Sequence, residues 1–191
     1  MKQSTKSSLR LTEPQPERDH IQGPHNAPVK MLEYGDYECP YCGAAHGVLK
    51  AIQQALGNRL CFAYRNFPLS NAHPHAQDAA EAAEAAGEQG KFWEMHDLIY
   101  ENQEALEVED LVQYAATLEL DVQRLINQLQ TGVFGPRVKE DFLTGVRAGV
   151  NGTPTIFING DRFDGVPDFA SLFAALSQAA PQSGAGVHQV R

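Results

Sequence analysis

Two cysteines separated by two residues are the first feature of this sequence that could do chemistry. Cys39 and Cys42 lie at the start of a predicted helix, and Pro40 fits its first position because no amide hydrogen is needed there. The spacing puts both sulfurs on one side of the first turn, close enough to bridge after modest adjustment. As the N-cap, Cys39 would face free amides and the positive end of the helix dipole, which lower the pKa of a thiol. We expect Cys39 to be the exposed attacking thiolate and Cys42 the buried resolving thiol.

The same cysteines allow two other interpretations, inert structural thiols or part of a zinc site. Zinc needs about four ligands, and His46, one helical turn after Cys42, could add one. No second Cys-x-x-Cys motif follows, however. His73 and His75 flank Pro74 without a cysteine or aspartate cluster, so we interpret them as polar loop residues. The pattern favours redox chemistry without a metal.

Other polar and sulfur-containing residues nearby receive a plainer interpretation. Cys61 falls in a predicted strand, where a buried free cysteine behaves as a small hydrophobe; a regulatory or intermolecular thiol is the alternative. Asp36 and Glu38 precede the dithiol, and we expect them to be solvated and to influence which partners can dock. Three cysteines in all are too few for a disulfide-stapled scaffold.

A Thr-Pro pair lies more than a hundred residues after the cysteines, directly before a predicted strand. Bonds before proline can be cis. If the bond between Thr153 and Pro154 is cis, the Thr153 backbone is free to pair with an extended chain of a partner. An ordinary trans turn proline is the alternative.

The elements that must position these residues alternate in type along the chain. A strand, a helix and a strand come first, for which a parallel right-handed crossover is the default. Several short helices follow, which suggests an α-helical layer inserted into an α/β domain. A hairpin with Asn159-Gly160 as its turn and a last helix capped by Asp168 complete the order. The predicted strands are 29–34, 60–65 and a hairpin over 155–163, and the predicted helices begin at 40, 76, 92, 108, 121, 134 and 168.

The net charge of −9, from 24 acidic and 15 basic residues, makes nucleic acid an unfavourable partner. No apolar run reaches the roughly 18–20 residues that span a bilayer. The first 20 residues contain no apolar core of a secretory signal. We therefore expect a cytoplasmic location, with an exported protein whose signal was removed as the alternative.

Several of these motifs together resemble a known family. The run from Glu33 to Cys42, the Gly-Thr-Pro-Thr segment at 152–155 and the Asn-Gly turn together resemble the DsbA-like branch of the thioredoxin superfamily, over about residues 27 to 178. The resemblance implies a thioredoxin-like fold with an inserted α-helical layer between the second strand and the cis-proline loop. The four prolines and few apolar residues of 1–28 indicate an extended N-terminal arm, and residues 180–191 a flexible tail. Between them we predict a thioredoxin-like domain (29–66 and 150–179) with a helical insertion (67–149).

The resemblance also implies roles for individual residues. Pro154 matches the cis-proline that faces the redox pair, and Thr153 the residue whose backbone contacts the substrate; we expect Pro40 and Tyr41 to complete the substrate-binding surface. Glu33 matches a buried acid that could relay protons to the resolving thiol, since burial would raise its pKa. The alternative is a residue at the strand end with its carboxylate in water.

The implied activity is disulfide exchange with protein thiols, with a recycling redox partner and no prosthetic group. The Pro-Tyr pair between the cysteines is also common in glutaredoxins, so a glutathione-dependent reductase, with glutathione as co-substrate, is one alternative. A glutathione-conjugate isomerase or transferase is another. A redox-inert binding module of the same fold is the third.

Overall fold

Residues 11–180 are described in a computed structural model of the chain. Within them, five strands and seven α-helices follow one another. The strands are β1 (His20–Gln22), β2 (Val29–Gly35), β3 (Leu60–Asn66), β4 (Thr155–Ile158) and β5 (Asp161–Phe163). The helices are α1 (Pro40–Leu56), α2 (Ala76–Glu88), α3 (Phe92–Glu101), α4 (Val108–Thr117), α5 (Val122–Thr131), α6 (Gly135–Arg147) and α7 (Phe169–Ala179), and a short 3-10 helix spans Gly57–Arg59.

The sheet has the order β1-β3-β2-β4-β5. Strands β2 and β3 are parallel and α1 connects them, as the strand–helix–strand pattern predicts. Strand β4 runs antiparallel to β2, and β5 antiparallel to β4. The two central strands are almost entirely buried, which explains why they read as short apolar runs without a clean alternation.

Helices cover both faces of this sheet. Helices α1 and α7 pack with each other on the face that carries Val29 and Met31, and together they enclose one apolar cluster. The residue two further along β2, Glu33, points to the same face, because side chains alternate along a strand. The opposite face, with Leu32 and Tyr34, is covered by α6.

Helices α2–α6 form the predicted helical layer between β3 and β4. Helix α2 lies at its centre and contacts α3, α4, α5 and α6. The alanines of α2 permit this close approach, since Ala79, Ala82, Ala83 and Ala86 are all buried. The α/β fold class with a helical layer in this position is confirmed.

The part of the predicted N-terminal arm within the described residues, 11–28, is not an extended arm. Strand β1 pairs antiparallel with β3 and extends the sheet. Asp19, just before it, forms an ion pair with Arg65 of β3, and both side chains are fully buried. The segment is therefore part of the domain, because it supplies the charge that a buried arginine requires. The predicted tail lies outside the described residues beyond Ala180, and the remaining domain boundaries stay predictions.

Candidate active site

Cys39 and Cys42 lie where α1 begins. Cys39 is the N-cap, with extended backbone angles (φ −72°, ψ 120°), and Pro40 opens the helix. The two cysteines lie 3.9 Å apart and both are free thiols. Cys42 is fully buried, and only 4% of Cys39 is exposed. The prediction that Cys39 is exposed is therefore wrong, because the proline loop covers its sulfur.

The environment of Cys39 favours its thiolate. The pKa of Cys39 is lowered to about 5. The largest cause is a hydrogen bond from the Cys42 thiol, and burial acts in the opposite direction. Thr153 and the backbone amides of Cys42 and Tyr41 lower the Cys39 pKa further. The amides are those of the first helical turn, as the N-cap position predicts. At neutral pH Cys39 is ionised and nucleophilic.

Cys42 has the opposite protonation preference. Burial raises its pKa well above the ordinary value, and the hydrogen bond to Cys39 and the charge of Glu33 raise it further. Two sulfurs of one pair are therefore held in different states, a thiolate at the helix end and a thiol one turn inside. This division matches the roles of attacking and resolving cysteine.

Glu33 lies inside the sheet rather than at a strand end in water. It pairs in register with Tyr64 of β3 and Ile156 of β4, and only 2% of it is exposed. Burial raises the pKa of Glu33 to about 8, with a smaller contribution from the charge of Cys39. Glu33 is thus a buried acid that binds a proton near neutral pH, as the resemblance implies.

The proline loop faces the dithiol. The peptide bond between Thr153 and Pro154 is cis. The Cys39 thiol, when protonated, donates a hydrogen bond to the Thr153 carbonyl oxygen at 3.4 Å. Pro40 is exposed, and 74% of Tyr41 is exposed. Of the four residues predicted to bind substrate, Thr153 contacts the Cys39 sulfur, Pro154 follows it in the loop, and Pro40 and Tyr41 belong to the first turn of α1.

The loop before the dithiol contains ion pairs that the sequence did not reveal. Asp36, predicted to be solvated, is buried; it accepts hydrogen bonds from the Leu69 amide and, at 2.8 Å, pairs with His73. Glu38 pairs with His75 at 2.9 Å. The spacing of His73 and His75 to the dithiol is more than 30 residues, so no local pattern signals these contacts. They fasten the dithiol loop to the residues that precede α2.

The other candidate ligands of the sequence are separate from the dithiol. Cys61 is buried in β3, and burial raises the pKa of its thiol, which disfavours the reactive thiolate. His46 does not join Cys42 in a metal site. Within residues 11–180 its neighbours with ligand atoms are His96 and Asp97 of α3.

This geometry, a thiolate at a helix N-cap facing a cis-proline loop, defines the dithiol class of thioredoxin folds. A family model described as thioredoxin matches residues 15–178, and the chain belongs to the thioredoxin family. The resemblance to the DsbA-like branch is confirmed at the level of fold. Oxidised BdbD from Bacillus subtilis superposes with a TM-score of 0.80 at 22% identity, over 87% of this chain and 95% of that chain. The α-DsbA1 of Wolbachia pipientis gives 0.76 at 18% identity, over 88% and 94%.

The curated relatives are longer proteins that are named as Na(+)/H(+) antiporters. A Na(+)/H(+) antiporter NhaA 1 of Salinispora arenicola is 45% identical over 164 residues, which are 86% of this chain and 25% of that protein. The chain thus spans about a quarter of the length of the curated relatives it matches. Among residues 11–180, no helix has both the length and the apolar character to cross a membrane.

Proposed function

We propose that this protein is a thiol–disulfide oxidoreductase that exchanges disulfides with protein substrates through Cys39 and Cys42. The observation that carries the proposal is the opposite protonation preference of two cysteines 3.9 Å apart, one favouring its thiolate and one its thiol. Exchange needs such a pair, since one sulfur must attack and the other must wait for the mixed disulfide.

The reaction consists of two displacements. The Cys39 thiolate attacks a substrate disulfide, forms a mixed disulfide and releases one substrate thiolate. Cys42 then loses its proton and attacks the Cys39 sulfur, which releases the second substrate thiolate and leaves Cys39 and Cys42 joined. The substrate is reduced and the dithiol oxidised; the reverse sequence oxidises a substrate dithiol. The dithiol itself carries the electrons, so the proposal requires no prosthetic group.

Substrate chains would dock beside the proline loop. The Thr153 backbone at the end of the loop lies against Cys39, and an extended substrate segment could pair with it as an added strand. Exposed Tyr41 and Pro40 form the other side of this approach. The existence of a recycling redox partner, the use of glutathione as co-substrate and the cytoplasmic location stay predictions.

The pKa of Cys39 also indicates the preferred direction. A value of about 5 lies between those of thioredoxin, about 7, and DsbA, about 3.5. A stabilised thiolate favours the reduced form of the pair, which makes its disulfide a better oxidant. We therefore propose that the Cys39–Cys42 dithiol is more oxidising than the dithiol of thioredoxin. The antiport named for the curated relatives is not included, because the chain matches only about a quarter of their length.

Trapping of the mixed disulfide tests this proposal. The Cys42→Ser variant, reduced and then mixed with insulin, should accumulate a covalent adduct that dithiothreitol releases, because nothing remains to resolve it. The matched control is the Cys39→Ser/Cys42→Ser double variant, which keeps Cys61 and should form no adduct. Absence of the adduct in the single variant, or equal amounts in both, would contradict the proposal.

A further inference from the structure

Asp36 lies between the end of β2 and the dithiol, and its backbone contacts both cysteines. Its amide donates a hydrogen bond to the Cys42 sulfur, and its carbonyl oxygen accepts one from the Cys39 amide at 3.1 Å. The residue is buried. We propose that Asp36 is a positioning residue for the resolving step, whose side chain holds its own amide against the Cys42 sulfur. The proposal rests on the proposed function, since it concerns the attack of Cys42 on the mixed disulfide.

The carboxylate of Asp36 fixes this loop through three contacts. Oδ1 accepts a hydrogen bond from the Glu38 amide at 2.9 Å, two residues further along the same loop. Oδ2 accepts one from the Leu69 amide at 2.7 Å and pairs with Nδ1 of His73 at 2.8 Å. The first contact closes a local turn, and the other two join that turn to the segment between β3 and α2. Because one buried carboxylate has three partners, the Asp36 backbone has little freedom to rotate away from the dithiol.

The contact between the Asp36 amide and the Cys42 sulfur favours the reactive form of Cys42. Burial raises the pKa of Cys42 well above its ordinary value, whereas the hydrogen bond from the Asp36 amide lowers it. A hydrogen bond to a charged group is stronger than one to a neutral group, so this bond strengthens as the sulfur becomes a thiolate. The amide therefore offsets part of the cost of ionising a buried thiol when Cys42 attacks.

His73 supplies the positive charge that the buried Asp36 carboxylate requires. Burial lowers the pKa of His73, but the hydrogen bond to Asp36 and the charge of Asp36 raise it above the ordinary value. The charges of Cys39 and Glu38 raise it further. Protonated His73 is thus favoured both by its carboxylate partner and by the Cys39 thiolate, so the loop does not place an unpaired negative charge beside the dithiol.

Four ionisable groups from different elements interact with the Cys42 thiol. They are Cys39 at the start of α1, Glu33 of β2, Tyr64 of β3 and Tyr100 of α3. The hydrogen bond to Cys39 and the charge of Glu33 both raise the pKa of Cys42. The Asp36 amide acts in the opposite direction, and the Asp36 side chain contributes by holding that amide in place.

The two steps of the exchange depend on this contact to different degrees. In the resolving step Cys42 loses its proton to solvent, and its thiolate, held by the Asp36 amide, attacks the Cys39 sulfur. The bond between Cys39 and the substrate sulfur breaks as the bond between Cys39 and Cys42 forms, and the substrate leaves as a thiolate. Formation of the mixed disulfide uses the Cys39 thiolate and does not require Cys42 to ionise. A change at Asp36 should therefore affect resolution more than formation.

Rapid mixing of the reduced protein with the aromatic disulfide dithiobis(nitrobenzoate) separates the two steps. One coloured thionitrobenzoate is released when Cys39 attacks, and a second when Cys42 resolves the mixed disulfide. Asp36→Ala should slow the second release by about tenfold or more at pH 7 and change the first by less than about threefold. The pH at which the second release reaches half its maximal rate should also be higher in Asp36→Ala, because the Cys42 thiolate has lost a hydrogen-bond donor.

Two variants serve as references for this result. Asp36→Asn keeps the volume of the side chain and an oxygen that can accept from the Glu38 amide, so it should recover most of the rate of the second release. His75→Ala is the matched control, because His75 pairs with Glu38 and Glu107 rather than with Asp36. It removes an ion pair from the same loop and should remain within about twofold of the unmodified protein.

The outcomes separate the two proposals. A second release at the unmodified rate in Asp36→Ala, a slow release with an unchanged midpoint pH, or equal slowing in His75→Ala would overturn the role of Asp36 and leave the proposed function intact. If Asp36→Ala does not fold, His73→Ala makes the same test, because it removes one of the three carboxylate contacts. Its second release should slow by about threefold with a raised midpoint pH, and an unchanged midpoint would overturn the proposal. Failure of the unmodified protein to release a second thionitrobenzoate would instead contradict the proposed function.

Discussion

Replacement of Cys39 by serine is expected to lower the rate of insulin reduction by dithiothreitol, with the protein as catalyst, by at least about a thousandfold. The serine hydroxyl is not ionised at neutral pH and cannot form the mixed disulfide. Cys39, by contrast, has a pKa of about 5 and is a thiolate under the same conditions. In the reduced unmodified protein, alkylation of Cys39 by iodoacetamide should slow as the pH falls through about 5, because protonation then removes the Cys39 thiolate.

The matched control is Cys61→Ser. Cys61 is buried in β3 with a raised pKa, so its removal should leave the rate within about twofold of the unmodified protein. A large loss in Cys61→Ser without loss of folding, or substantial catalysis in Cys39→Ser, would assign the chemistry to the wrong cysteine. Circular dichroism of both variants shows whether they are folded.

Replacement of Asp19 by alanine should lower the free energy of unfolding by about 3–5 kcal/mol. Asp19 accepts two hydrogen bonds from the Arg65 guanidinium, at 2.9 and 2.7 Å, and neither side chain is exposed. Without Asp19 the buried Arg65 guanidinium has no anion beside it. It still donates hydrogen bonds to the Tyr34 hydroxyl and to the carbonyl oxygens of Leu11 and Glu13. Urea unfolding followed by circular dichroism measures the change.

Two further variants serve as controls for the Asp19→Ala result. Lys91→Ala breaks an exposed ion pair with Glu94 and should cost less than about 1 kcal/mol. Asp19→Ala/Arg65→Met removes both charges and should recover part of the loss, since an unpaired buried charge costs more than an apolar replacement. A loss below about 1 kcal/mol in Asp19→Ala would show that the N-terminal segment does not stabilise the domain.

Local chemistry made much of this structure predictable from the sequence. The N-cap roles of Asp121 and Asp168 follow from residue type, and their side chains accept hydrogen bonds from Arg124 and Ser171 amides. The start of α1 and the position of Cys39 depend on Pro40 and the dithiol spacing, which are also local. The strand that follows the Thr-Pro pair was visible because a short β-branched and aromatic run precedes an Asn-Gly turn.

Features that depend on distant parts of the chain were not predictable in this way. Strand β1 has only three residues, and none of their side chains is fully buried. It forms because the edge of β3 is open for pairing. Asp36 resembles a loop acid in sequence and becomes buried because the segment before α2 closes over it. A cavity that lies between α1 and α3 requires the packing of two helices that are distant in the sequence, and His46 and Asp97 are 51 residues apart, so their proximity has no signal in either helix alone.

Titration of the Cys39–Cys42 pair against glutathione redox buffers tests the central claim most directly. The account predicts a reversible two-electron exchange with a reduction potential above the roughly −270 mV of thioredoxin and below the roughly −120 mV of DsbA, since the Cys39 pKa lies between theirs. Oxidation and reduction can be read by mass spectrometry after alkylation of free thiols. A pair that does not exchange with glutathione, or one with a potential at or below about −270 mV, would contradict the account.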